Sequence, residues 1–139
     1  MLPRMRSAIS VGLLLAGLLL VGCGSTSNPH MELGGIDLGE VLDGLMSRTE
    51  KALASVKDQP TAAAASKELD LISQDFDDLA YHVPKLPVDG QIALTKKVSA
   101  NLGTMEEMAR MVNASPALRD ILGGQMNVLV EKMKGLMAL

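Results

Sequence analysis

The sequence predicts an all-α fold, a three- to four-helix bundle, on three observations. From Ile36 onward apolar residues recur three and four apart, the period of one helix face. Proline-bearing turn segments punctuate that pattern at Asp58-Gln59-Pro60, at Val83-Pro84-Lys85-Leu86-Pro87 and at Asn113-Ala114-Ser115-Pro116. No run of alternating β-branched residues is present, and the aromatics are only Phe76 and Tyr81, with no Trp. A core must then be built from Leu, Val, Ile, Ala and Met, in large part helix-forming residues.

The elements follow in order. Residues 1–7 are short and basic, with Arg4 and Arg6, and residues 8–21 are almost wholly apolar around Leu13-Leu14-Leu15 and Leu18-Leu19-Leu20. That run falls short of the roughly 20 apolar residues a spanning helix needs. With its basic start and small residues at its end it reads as a secretory signal. It finishes in Leu20-Val21-Gly22-Cys23, which resembles the lipobox of bacterial lipoproteins. The resemblance implies that Cys23 takes a diacylglycerol on its thiol and an acyl group on its amine. It also implies cleavage between Gly22 and Cys23, so residues 1–22 are the signal peptide. Cys23 is the only cysteine, so lipidation leaves none for a disulfide. Each buried acyl methylene contributes about 0.8 kcal/mol, so two or three chains anchor durably. Gly24 stands where Asp would, by the rule of that family, favour the inner membrane. The implied location is the outer membrane, facing the periplasm, in a bacterium with two membranes.

Residues 23–35 hold the lipidated Cys and a stretch without periodicity, Gly-Ser-Thr-Ser-Asn-Pro-His-Met-Glu-Leu-Gly-Gly, expected to be a flexible tether. Twelve extended residues reach about 40 Å. The bundle domain is expected over residues 36–139. Its first helix places Leu38, Val41, Leu42, Leu45, Thr49, Ala52, Leu53 and Val56 on one face and stops at Asp58-Gln59-Pro60. Thr61 is the expected N-cap of a second helix. Its seam of Ala62, Ala65, Leu69, Ile72, Phe76, Leu79 and Val83 alternates three and four apart. A third helix, from about Asp89 to Val112, carries Ile92, Thr95, Val98, Leu102, Met105, Ala109 and Val112. Ser115 is the expected N-cap of the last helix, with Pro116 at its first position. Leu118, Ile121, Leu122, Met126, Leu129, Met133 and Leu136 form its face. Gly123-Gly124 inside it cost about 1 kcal/mol each relative to Ala, so a kink or break is expected there.

From Lys51 to Leu136 this layout is similar to a small uncharacterised helical module of bacterial envelope lipoproteins, some of which add an outer-membrane-protein-A-like domain. The matching features are Thr61-Ala62-Ala63-Ala64-Ala65, Lys85-Leu86-Pro87 and the Leu- and Lys-containing stretch from Ile121 to Leu136. The resemblance implies no activity and no functional residue.

Charge and composition exclude several functions. All 16 acidic residues lie beyond Cys23 while Arg4 and Arg6 precede it, so the processed chain carries 11 basic groups and a net charge of −5. That balance repels phosphate backbones and speaks against nucleic acid as a partner. Two aromatic rings give no stacking platform for bases or sugars. The nucleophile-and-histidine material is thin: no Gly-x-Ser-x-Gly elbow, and histidine only at His30 and His82. Asp75, Asp77 and Asp78 are expected on a solvated helix face.

Metal handling, of copper or zinc, is the alternative. Asp78 and His82 stand i, i+4 on one helix and share a side of it. Two ligands fall short of the three or four a zinc site uses, and a His near a helix C-terminus is also favoured by the dipole. Met105, Met108 and Met111 repeat every three residues, followed by Met126, Met133 and Met137. Thioethers select Cu(I), but Met also fills irregular apolar cores. Met105 and Met126 belong to the seams, leaving Met108 and Met111 as the freer pair. The reading favoured by the sequence is a membrane-anchored, non-enzymatic structural, scaffold or interaction module. It requires no cofactor, and its partner is an envelope protein or the cell wall.

Overall fold

The computed structural model describes residues 31–139, and within them the fold is an all-α bundle with one small hairpin at its start. Strands β1 (Glu32–Leu33) and β2 (Ile36–Asp37) pair antiparallel, Glu32 opposite Asp37 and Leu33 opposite Ile36. Gly34 and Gly35 turn between them at φ of 59° and 82°. Positive φ at both central residues is what a tight two-residue hairpin turn demands, and glycine adopts it without steric cost. Residues 31–35, expected to belong to the tether, are packed on the domain instead: Met31 is buried and Leu33 of the hairpin lies against the core. Gly39 makes this docking close: a Cβ there would lie 2.9 Å from the Met31 side chain.

Helix α1 (Leu38–Ala54) starts at Asp37, whose carboxylate accepts from the Gly39 amide at 2.7 Å and the Glu40 amide at 3.3 Å. It buries Leu38, Leu42, Leu45, Thr49 and Ala52 as expected, and Met46 in addition. The buried Thr49 hydroxyl donates to the Leu45 carbonyl at 2.8 Å, so its one polar group is satisfied within the helix.

Helix α2 (Gln59–His82) begins three residues earlier than the Thr61 cap implied. Asp58 is the N-cap, and Thr61 sits at the third helical position. The Thr61 amide donates to the Asp58 carboxylate at 3.0 Å, and the Asp58 amide donates to the Thr61 hydroxyl at 2.9 Å. Thr61 thus fills the role usually taken by Glu or Gln in a capping box. The seam of Ala62, Ala65, Leu69, Ile72, Phe76, Leu79 and Val83 is buried throughout. Val83 stays helical, opening a 3-10 turn (Val83–Lys85); the stop comes at Leu86, extended at φ −71°, ψ 152° before Pro87.

Helix α3 (Val88–Ala114) buries Leu94, Val98, Met105, Ala109 and Val112. Ile92 is 52% exposed and Thr95 half-buried, so the start of the expected face is turned aside and Leu94 takes its place. Ser115 then extends the chain at φ −100°, ψ 114°. It occupies the N-cap position without a side-chain capping bond, and Pro116 opens a helical turn (Pro116–Leu118). A π segment (Arg119–Gly123) leads into α4 (Gly124–Met137). The kink or break expected at Gly123-Gly124 takes the form of this wider π turn, which ends at Gly123 without interrupting the helix. Gly123 closes the π turn and Gly124 opens the regular helix after it.

Helix α1 packs on α2, α2 on α4, and α4 on α3, with a slighter α1–α3 contact closing the ring. Polar bridges tie neighbouring helices, and a second point of contact sets each direction: His82 beside Leu38, Leu53 beside Met111, and Ser66 bonded to Gln125. Arg48 of α1 binds Glu68 at 2.9 Å and Asp75 at 2.5 Å in antiparallel α2. Lys97 of α3 meets Asp43 of α1 at 3.0 Å, and Lys132 of α4 meets Asp77 of α2 at 2.8 Å, as parallel neighbours. One end of the bundle accordingly gathers the hairpin, the start of α1, the end of α2, the start of α3 and the end of α4. No helix among the described residues is long and apolar enough to cross a membrane.

Candidate functional site

The hairpin overhangs the flank of the bundle where α1 begins and α2 ends, leaving an open groove of about 740 Å³. Its walls are Leu33, Ile36, Val41, Leu45 and Leu79, with Arg48, Asp75, Asp78, His82 and Lys85 along the edge. The apolar floor follows from α1 periodicity. Half-buried Val41 sits at the margin of the buried stripe, one turn before Leu45, which the core covers.

Arg48 organises the polar edge. Its guanidinium spans Glu68 and Asp75, and the hydrogen bond to Asp75 is the main influence holding its pKa above the ordinary arginine value, against partial burial. This ties down Asp75, one of the three acidic residues expected to be solvated; Asp77 is likewise paired, to Lys132. Asp78 remains exposed and faces the groove.

His82 is the unusual member. Its Nδ1 is buried and has no hydrogen-bond partner. The ring meets Tyr81 edge to face, with centroids 5.2 Å apart and planes at 74°, and Lys85 Nζ stands 3.8 Å from the Tyr81 centroid. Asp78 and His82 are thus brought to one groove as their i, i+4 spacing implied. Among the described residues no group of three or more His, Cys, Asp or Glu side chains gathers in a metal-holding arrangement.

Met108 and Met111 lie elsewhere, in an apolar pocket of about 310 Å³ with Leu53, Val56, Leu118 and Leu122. Met108 is half-buried against the core and Met111 is 64% exposed. Met105, Met126 and Met133 are fully buried and Met137 packs against the core, so the core takes most of the six methionines. Gly22 and Cys23, the expected cleavage and lipidation residues, lie outside the described residues.

Arg48 and Lys85 were not legible as site residues. Arg48 acquires its role only from the register of α1 against α2, and Lys85 only from the 3-10 turn that stacks it on Tyr81. No family model, no curated protein and no solved structure matches this chain, so what the groove does must be argued from its own residues.

Proposed function

We infer that the chain is a lipoprotein of the bacterial envelope, anchored through Cys23, whose helical bundle works as a non-enzymatic docking or spacer module. The observation that carries this reading is the order of the first 23 residues: a basic start, an apolar run, then Leu20-Val21-Gly22-Cys23. A bundle whose charged side chains pair across helices, beside an open groove with an apolar floor, suits a module that binds through its surface.

Metabolic labelling with a fatty acid tests it. The intact chain incorporates label and runs at the size of a chain beginning at Cys23. Cys23→Ser remains unlabelled and retains residues 1–22. Label retained by the variant sinks the anchor assignment.

The unpartnered His82 Nδ1 supports a second reading, zinc handling at Asp78 and His82. Calorimetry with Zn²⁺ separates the two. Stoichiometric submicromolar binding that disappears in His82→Ala would replace docking by metal handling.

A further inference from the structure

Five of the eight exposed large hydrophobic side chains among the described residues fall at one end of the bundle: Ile36, Tyr81, Val88, Ile92 and, just past the end of α4, Leu139. Ile36 is on the hairpin, Tyr81 on the last turn of α2, and Val88 and Ile92 one turn apart at the start of α3. Single exposed apolar residues need no explanation, but a gathering at one end of a bundle marks a surface with something to cover it. The same end is where the chain leaves toward its N-terminus, since Met31 packs at the foot of α1. From Cys23 to Met31 is eight residue steps, at most about 28 Å of extended chain.

We propose that this end of the bundle is a membrane-contacting face, on which Ile36, Tyr81, Val88 and Ile92 rest against the lipid surface that holds the acylated Cys23. The inference rests on the lipoprotein reading and adds to it an orientation: the bundle stands with its hairpin end down. Tyr suits the site, because its ring is apolar and its hydroxyl reaches the wet headgroup layer. Lys85, held over that ring, adds one cation beside it. Glu32, Asp78 and Asp89 share this end, so the attraction is apolar rather than ionic, and neutral lipid is a better support than anionic lipid.

Tyr81 is the only Tyr and the chain has no Trp, so intrinsic fluorescence reports on this face directly. The test uses the full chain purified from membranes with its acyl groups and reconstituted into phosphatidylcholine vesicles. Acrylamide is the quencher, and the fragment from Gly24 in solution is the reference. That fragment contains every core residue found among the described residues.

Contact at this face lowers quenching at least threefold on the vesicles. The doubly substituted Val88→Ser, Ile92→Ser chain, altered only at exposed positions, recovers at least half of the lost quenching. Lipid brominated near the headgroup dims Tyr81 in the unsubstituted protein. An acylated, vesicle-bound chain whose Tyr81 is quenched as freely as in the soluble fragment overturns the face while leaving the anchor intact. Mass spectrometry of Cys23 provides the separate readout. A chain without an acyl group there removes the lipoprotein reading itself, and the orientation with it.

Discussion

Gly123 and Gly124 are neighbours of one residue type, and the structure gives them opposite reasons for being glycine. A Cβ at Gly123 would lie 2.5 Å from Asn113 Oδ1. Asn113 cannot easily withdraw, because its Nδ2 donates to the Ala109 carbonyl at 2.9 Å and to Asn127 Oδ1 at 3.0 Å. Gly124 has nothing within 4 Å of its missing Cβ. Gly123→Ala is therefore expected to destabilise by about 1–3 kcal/mol through overpacking. Gly124→Ala is expected to stabilise by up to about 1 kcal/mol through helix propensity. Urea denaturation followed by circular dichroism measures both, and equal effects of the same sign would refute the close approach at Gly123. Phe76, 1% exposed in the α2 seam, makes a cruder demand on the core. Phe76→Ala is expected to cost about 3–5 kcal/mol. A midpoint change equivalent to under about 0.5 kcal/mol would place the ring outside the core.

The helix caps show how an element can be legible while its boundary is not. Asp58 and Thr61 both have N-cap chemistry, and three-residue spacing lets either start a helix. Asp58 wins because capping there lets Pro60 fall in the first turn and Thr61 return a bond. Amide and hydroxyl bonds from Thr61 hold the Asp58 carboxyl below its ordinary pKa of 3.8. A carboxylate depressed in the folded state stabilises the fold above its unfolded pKa and loses that contribution as pH falls through its folded one. Asp58→Ala is thus expected to lower the thermal midpoint at neutral pH, with the gap to the unsubstituted protein narrowing as pH drops below 3.8. A gap constant down to pH 2 would show that charge plays no part in the cap.

Other elements were readable to different depths for equally local reasons. The α2 seam is a single unbroken stripe and came out whole. The start of α3 offered two stripes, one through Ile92 and Thr95 and one through Leu94 and Val98. Only contact with α1 and α4 chooses between them. The hairpin has no periodic signature, since its strands are two residues each, and only Gly34-Gly35 between Leu33 and Ile36 signals its turn. Of the groove, Asp78 and His82 were visible as a helical pair. Its apolar wall was not, since it depends on the hairpin folding back.

At the scale of the whole molecule, the consecutive helices α2 and α3 stand across the ring from each other rather than side by side. The bundle is two helical hairpins, α1–α2 and α3–α4, laid together and joined by the 3-10 turn and Pro87. The single connection between the halves is pinned at Val83 and Leu86, both buried, and closed by the Gln91 side chain, which donates to the Leu86 carbonyl at 2.9 Å. Such a layout has a modular consequence. Cutting the backbone between Leu86 and Pro87 severs no helix and leaves each piece with its own antiparallel pair. Residues 31–86 and 87–139, made separately and mixed, should reassemble into a one-to-one complex with the far-ultraviolet spectrum of the intact domain, each piece alone being much less helical. Ultracentrifugation together with circular dichroism reads this out. Pieces that remain apart at tens of micromolar would mean that the short joint, and not the apolar faces, holds the two halves in place. Reassembly would make this domain a split tag whose two parts report when their carriers meet.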